Sequence, residues 1–229
     1  MFWLIFIGTM LVSMLASWRV RSSFNRFSQV PSSSGLTGAE AARRILHSSG
    51  INDVEVVPVQ GSLTDHYDPI NKRLALSETV YNQTSVAALG VAAHECGHAL
   101  QHQQAYAPLH ARMAMVKIQG FASQTVMWLP LIGMFTGFLS PKLMIPIIAM
   151  GWGVIMLFNL ITLPVEFDAS HRAGKVLTGM GIIRTQEEAN GVEKVLKAAG
   201  WTYVAAFLTS LAYLLWHLLP LLTGGRRSE

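Results

Sequence analysis

The sequence predicts a mainly α, polytopic membrane protein with about four transmembrane helices and a small α+β cytoplasmic part. Three observations carry this. Of the 229 residues, 51% are hydrophobic and only 13% are charged, which is too apolar for an ordinary soluble domain. The apolar residues gather into four runs, each of roughly the twenty residues that a bilayer requires. Between the runs lie two polar stretches that hold most of the cations.

The first run, Phe2–Trp18, is nearly free of polar residues. No basic segment precedes it, and no small-residue cleavage site follows Leu15-Ala16-Ser17-Trp18, so it reads as an uncleaved anchor. Phe121–Leu139, Leu143–Leu163 and Tyr203–Thr223 are the other three. Trp3, Trp18 and Trp201 fall at the expected ends of spans, where aromatic belts sit. The chain therefore divides into an anchor (1–18), a cytoplasmic segment (19–117), a transmembrane helical pair (118–163), a second cytoplasmic segment (164–200), and a last transmembrane helix with a short tail (201–229).

Charge orients the spans. Nine of the 17 Lys and Arg residues lie in Arg19–Lys117 and five in Pro164–Gly200, leaving Lys142, Arg226 and Arg227. Four spans place the first two groups on one side, and the positive-inside rule makes that side cytoplasmic. The net charge of +4 then reflects topology and contact with the lipid bilayer. No basic surface interleaved with aromatics suggests a nucleic-acid partner. Few ionisable residues fall inside the spans, His217 being the main exception, which argues against a transporter.

Local signals order the polar segments. Ser28 to Ser34 is a Ser-rich linker. Thr37-Gly38-Ala39-Glu40 is a capping box for a helix that stops near Gly50. Val54–Val59 is β-branched and strand-like. Gly61–Tyr67 and Lys72–Leu76 flank the turn Asp68-Pro69-Ile70-Asn71 as a hairpin. Ser77 starts a short helix, and Ser85 caps a small-residue helix that must end before Pro108. In the second segment Pro164 suits a helix start, and Thr185-Gln186-Glu187-Glu188 caps a helix that should end at Gly200.

The Ser85 helix carries His94-Glu95-Cys96-Gly97-His98. Residues four apart share a helix face, so both imidazoles point the same way and can hold one zinc ion. Glu95, beside the first, is placed as general base on the water that such a zinc activates. Two buried histidines would otherwise need partners, because burying polar groups alone is costly. Cys96 is offset around the helix from both imidazoles. As the single cysteine it can form no intrachain disulfide.

A catalytic zinc usually has three protein ligands. One scheme takes the third from a histidine three residues past a glycine on the same stretch of chain. It would require a glycine at position 101 and a histidine at position 104, but the chain has Gln101 and Gln104. His102 is about 12 Å from His94 along the helix axis, too far for one tetrahedral ion to bind both along with His98. A glutamate from a later helix is the other scheme. Glu166, just past an apolar run on the same predicted side, is the leading candidate, with Asp168 and His171 as competitors.

The chain resembles the YugP-like membrane zinc metallopeptidases. The resemblance rests on Leu63-Thr64-Asp65-His66-Tyr67-Asp68-Pro69, on Ser85 to Gln101 with its H-E-x-x-H, and on Leu163-Pro164-Val165-Glu166-Phe167 with Ala169-Ser170. It is similar, more distantly, to the HtpX-like membrane proteases, which pair H-E-x-x-H with a glutamate followed by an Ala-Asp step. That comparison implies Zn2+ held by His94, His98 and Glu166 in a zincin-like, gluzincin-type fold. It puts Ala169-Ser170 where Ala-Asp would be, so that Ser170 or Asp168 takes the aspartate's part.

The expected activity is zinc-dependent endopeptidase cleavage of membrane or membrane-proximal proteins. The expected place is the cytoplasmic face of a bacterial plasma membrane. His66, Tyr67, His171 and Arg172 are candidates to stabilise the oxyanion, and Lys72–Leu76 is a candidate edge strand for an extended substrate. The alternative is a zinc-binding membrane regulator or scaffold without catalysis; an intact Glu95 argues against it.

Overall fold

The computed structural model describes residues 2–137 and 140–223. Leu139, at the end of the second expected span, and the expected tail with Arg226 and Arg227 lie outside the described residues. The chain is mainly helical. In order it forms α1 (Phe2–Ser28), α2 (Gly38–Ser48), β1 (Glu55–Val59), β2 (His66–Asp68), β3 (Arg73–Ser77), α3 (Glu78–Tyr81), α4 (Val86–Gln103), α5 (Ala107–Thr136), α6 (Pro141–Gly179) and α7 (Gln186–Thr223). It separates into two compact units: residues 1–15, 110–163 and 203–229 form one, and 16–109 with 164–202 form the other.

The first unit is made of apolar helix. Among the described residues three helices are long and apolar enough to cross a membrane, namely α1, α6 and α7. The expected second span falls on α5, whose Gln119, Ser123, Gln124 and Thr125 lower its apolarity. These groups are satisfied along the helix: Gln119 donates to Ser123, Thr125 to the Phe121 carbonyl and Trp128 to Gln124. Helices α5 and α6 pack as an antiparallel pair, with Gly133 against Met144 and Gly151 against Val126. Asn159 of α6 donates to the Ala206 carbonyl and to Ser210 of α7, and Trp152 stacks on Tyr213.

The second unit has a true core. Ile45, Leu74, Leu76, Val80, Val86, Leu89 and Leu177 are fully buried in it, each contributing about 2 kcal/mol. Thr37 and Glu40 form the reciprocal capping box that opens α2, and Gly50 takes the left-handed conformation just past its end. Ser85 caps α4 by accepting from the Ala88 N–H. Asp68 accepts from the Ile70 and Asn71 N–H groups and turns the β2–β3 hairpin.

Four expectations are corrected here. The three-stranded sheet has the order β1-β3-β2, with β1 parallel and β2 antiparallel to β3. Lys72–Leu76 is therefore in the centre of the sheet rather than at an edge. The first hairpin strand is only His66–Asp68, because Gly61 and Leu63 adopt positive φ and break the extended run. Pro164 lies inside α6 instead of starting a helix; its fixed φ is helical, and burial of Val165, Glu166 and Ala169 just beyond it offsets the missing N–H. Gly200 does not end a helix either, since α7 runs on through it to Thr223. The Phe167 ring packs against Gly200, where a Cβ would lie 3.0 Å from the ring.

Candidate metal centre

Helix α4 is built to be approached closely. Ala87, Ala88, Gly90, Ala92, Ala93, Gly97 and Ala99 give it small faces, and every one of these is buried. At Gly97 the backbone of α6 comes so near that an added Cβ would sit 2.6 Å from the Ala169 carbonyl oxygen. That contact lays the first turns after Pro164 across the histidine face of α4.

The result is one cluster. His94, His98 and Glu166 offer donor atoms that all lie within 4.8 Å of one another. Glu166 Oε2 is 3.2 Å from His94 Nε2 and 3.6 Å from His98 Nε2. Tetrahedral coordination at about 2.0–2.1 Å separates ligand atoms by about 3.3 Å, so two imidazoles and a carboxylate at these spacings fit zinc. Glu166 is 2% exposed, and His98 and Glu95 are also buried. Burial acts to raise the Glu166 carboxyl pKa, but the hydrogen bonds and charges of His94 and His98 outweigh it and hold the group ionised far below the usual carboxylate range. The His98 imidazole moves the other way: burial opposes its charge, yet Glu166 and Glu95 raise its pKa.

The outer ring nitrogens are fixed as well. Ser170 Oγ lies 3.2 Å from His94 Nδ1. Gln101, fully buried, receives His98 Nδ1–H on Oε1 at 3.0 Å, while its amide nitrogen donates to the Val165 carbonyl at 2.7 Å and to Asp168 at 2.8 Å. A carbonyl only accepts, so the amide has one orientation, and His98 keeps its proton on Nδ1. Both histidines thus turn Nε2 to the cluster. Gln101 is the residue that sequence reasoning missed, because position 101 enters it only as a place where glycine is absent. Its spacing, one helical turn past the second histidine, was the only trace in the sequence, and spacing alone does not give its burial or its partners on α6.

The other candidates fall outside the cluster. Asp168 accepts from Gln101 and from Arg172 Nε. Arg172 also donates to Gln104 and lies over the Tyr106 ring. His171 is exposed and lines a cavity of about 410 Å³ together with Ser170. Tyr67 shares a hydrogen bond with His102 at 2.9 Å. His66 donates Nδ1–H to the Thr64 carbonyl. Cys96 is buried with its thiol toward the Ala42 carbonyl, and burial pushes its pKa up. Asp65, also unforeseen, accepts from both the N–H and the hydroxyl of Ser77, pinning the hairpin that packs on α4; burial first, then the charge of Glu95, raises its pKa.

An H-E-x-x-H helix crossed by a glutamate-bearing helix, in a chain with apolar helices long enough to span a bilayer, defines the class of membrane zinc metallopeptidases. The chain belongs to the family described as "Putative neutral zinc metallopeptidase", which it matches over residues 2–222. It is 48% identical over 218 residues to the "Putative membrane protease YugP" of Bacillus subtilis (strain 168), covering 93% of either chain. No solved structure matches it.

Proposed function

We propose that this protein is a multi-pass, membrane-embedded endopeptidase that hydrolyses peptide bonds of membrane or membrane-proximal proteins at the cytoplasmic face of a bacterial plasma membrane. The observation that carries the reading is the convergence of His94, His98 and Glu166, with Glu95 buried beside them. His94 Nε2, His98 Nε2 and a Glu166 carboxylate oxygen would hold the zinc. When bound, zinc supplies Lewis acidity, polarising a carbonyl and making water acidic near neutral pH. The Glu95 carboxylate takes the proton of the attacking water and returns it to the leaving amine nitrogen. Ser170 and Gln101 orient the two imidazoles, and Asp168, held by Arg172, steadies Gln101. Of the oxyanion candidates His66, Tyr67, His171 and Arg172, the first can present Nε2–H only as an imidazolium, since its Nδ1–H is committed to Thr64.

The fourth span is α5. Its Phe121 and Phe135 are 77% and 81% exposed, and Met127, Trp128, Ile132 and Met134 are exposed with them, a surface suited to lipid. The basic residues gathered in 19–117 and 164–200 support a cytoplasmic site, and the hairpin packed on the motif helix supports a zincin-like arrangement. Quantitative proteomics of membranes carrying the wild type or Glu95→Gln tests the function. Membrane proteins cleaved by the wild type should accumulate intact in the variant. Identical cleavage in both would overturn the reading.

A further inference from the structure

Away from the metal centre, α1 and α7 enclose a groove of about 290 Å³. Arg19, Ser22, Ser23 and Arg26 line one wall, one helical turn apart, and Lys194 and Lys197 line the other. The inner end is closed by Phe27, whose ring is seated on Gly191 so tightly that a Cβ there would lie 2.9 Å away. The spacing of α1 and α7 at this end is thus set by a ring seated on a glycine. Among the described residues no Asp or Glu lines the groove. Lys197 is paired with Glu193, but Arg19, Arg26 and Lys194 have no carboxylate partner among the described residues. Arg26 rests against the Phe27 ring. Three cations without a carboxylate partner, lining one groove with two hydroxyls, repel one another and make a site for an oxyanion.

The position along each helix says which oxyanion. On α1 the groove begins at Trp18, the last residue of the apolar run and three residues past the first unit's part of that helix, and the Trp18 side chain is exposed. On α7 it ends at Ala198, five residues before the apolar run resumes at Tyr203. An exposed tryptophan among basic residues at the end of an apolar helix is the pattern of a headgroup layer. The volume holds a phosphodiester and a few waters of about 30 Å³ each. We propose that this groove is a binding site for the phosphate headgroup of an anionic phospholipid, with Arg19, Arg26 and Lys194 as its charge and Ser22 and Ser23 as its hydroxyl donors.

The test uses the full chain purified in mixed phosphatidylcholine and phosphatidylglycerol, with retained phosphatidylglycerol counted by native mass spectrometry. The wild type should keep one phosphatidylglycerol that excess inorganic phosphate does not displace. The triple variant Arg19→Gln, Arg26→Gln, Lys194→Gln should lose it, with affinity lowered about 100-fold at roughly fivefold per cation. Arg44→Gln, Arg73→Gln, Arg184→Gln removes the same charge elsewhere and should keep it. Thermal melting in phosphatidylcholine alone, equal for both triple variants, shows that the groove variant is folded; should it melt lower, Arg19→Lys with Arg26→Lys must retain the lipid. Equal loss from both triple variants would overturn the proposal in favour of diffuse charge. Displacement by inorganic phosphate would overturn it in favour of a free-phosphate site. No preference over phosphatidylcholine would also sink it.

Discussion

Gln101→Met separates orientation of the metal site from its ligand set. Methionine has nearly the volume of glutamine, so no cavity opens, but all three of the glutamine's hydrogen bonds vanish. Each is worth about 1 kcal/mol net, and the His98 Nδ1–H left behind is buried and loses its acceptor. His98 is then free to turn and to move its proton to Nε2, the atom that faces Glu166. Partners that orient a metal-binding imidazole are worth about 10–100-fold in affinity, or about 1.4–2.7 kcal/mol. Zinc titrated into the metal-free, full-length protein against a chelator of known affinity should show this weakening, with helicity by circular dichroism unchanged. Binding within about twofold of the wild type would refute the reasoning, since it would mean His98 needs no help from α4's next turn.

Four other outcomes are expected. His94→Ala, His98→Ala and Glu166→Ala should each lower zinc content measured by mass spectrometry, whereas Glu95→Gln should retain it and lose turnover; metal-free Glu95→Gln would contradict the division of roles. Gly97→Ala should lower the melting temperature, because the clash with the Ala169 carbonyl costs about 1–3 kcal/mol, more than the roughly 1 kcal/mol that alanine gains in a helix. Glu188 accepts N–H bonds from Ser33, Arg184 and Thr185, which outweigh its burial and hold its carboxyl pKa near about 2. A carboxyl depressed on folding stabilises above its unfolded pKa and ceases to as pH falls through the folded value, so Glu188→Gln should destabilise by about 2 kcal/mol at neutral pH, and its gap from the wild type should close between about pH 4.5 and pH 2. Asn52→Cys and Asn190→Cys should resist a membrane-impermeant thiol reagent in intact cells while Lys142→Cys reacts, with the buried native Cys96 silent throughout; the reverse pattern would place the site outside.

What could be read from the chain was whatever its neighbours in sequence decide. Thr37, Ser85 and Thr185 cap helices because the groups they satisfy lie three residues on, and the Asp68 turn closes within four residues. The His94, His98 and Glu166 cluster was readable in part: i, i+4 spacing puts the two histidines on one face, while Glu166 was chosen over Asp168 and His171 by its place just past an apolar run. The misreadings share a different cause. Pro164 and Gly200 are strong local punctuation, but burial of Val165 and Glu166 carries α6 through the one, and Phe167 fills the space beside the other. The central place of β3 depends on parallel pairing with β1, some eighteen residues away in register, which no turn signal announces. Gln101 was invisible for the same reason: its partners Val165 and Asp168 are more than sixty positions distant.

The contact of Gly97 with Ala169 sets a mechanical tolerance. Side chains between two helices act as cushions: they can swap rotamers, and the gap between the axes can adjust as they do. Here the gauge block is main chain against main chain, and main chain does not change length. The 3.2 and 3.6 Å spacings from Glu166 to His94 and His98 are therefore referenced to a hard stop one residue from His98 and three from Glu166. Mutations that soften the core elsewhere should loosen the protein long before they spread this cluster, and a redesign that keeps this one glycine can alter much of the surrounding helix surface without resizing it.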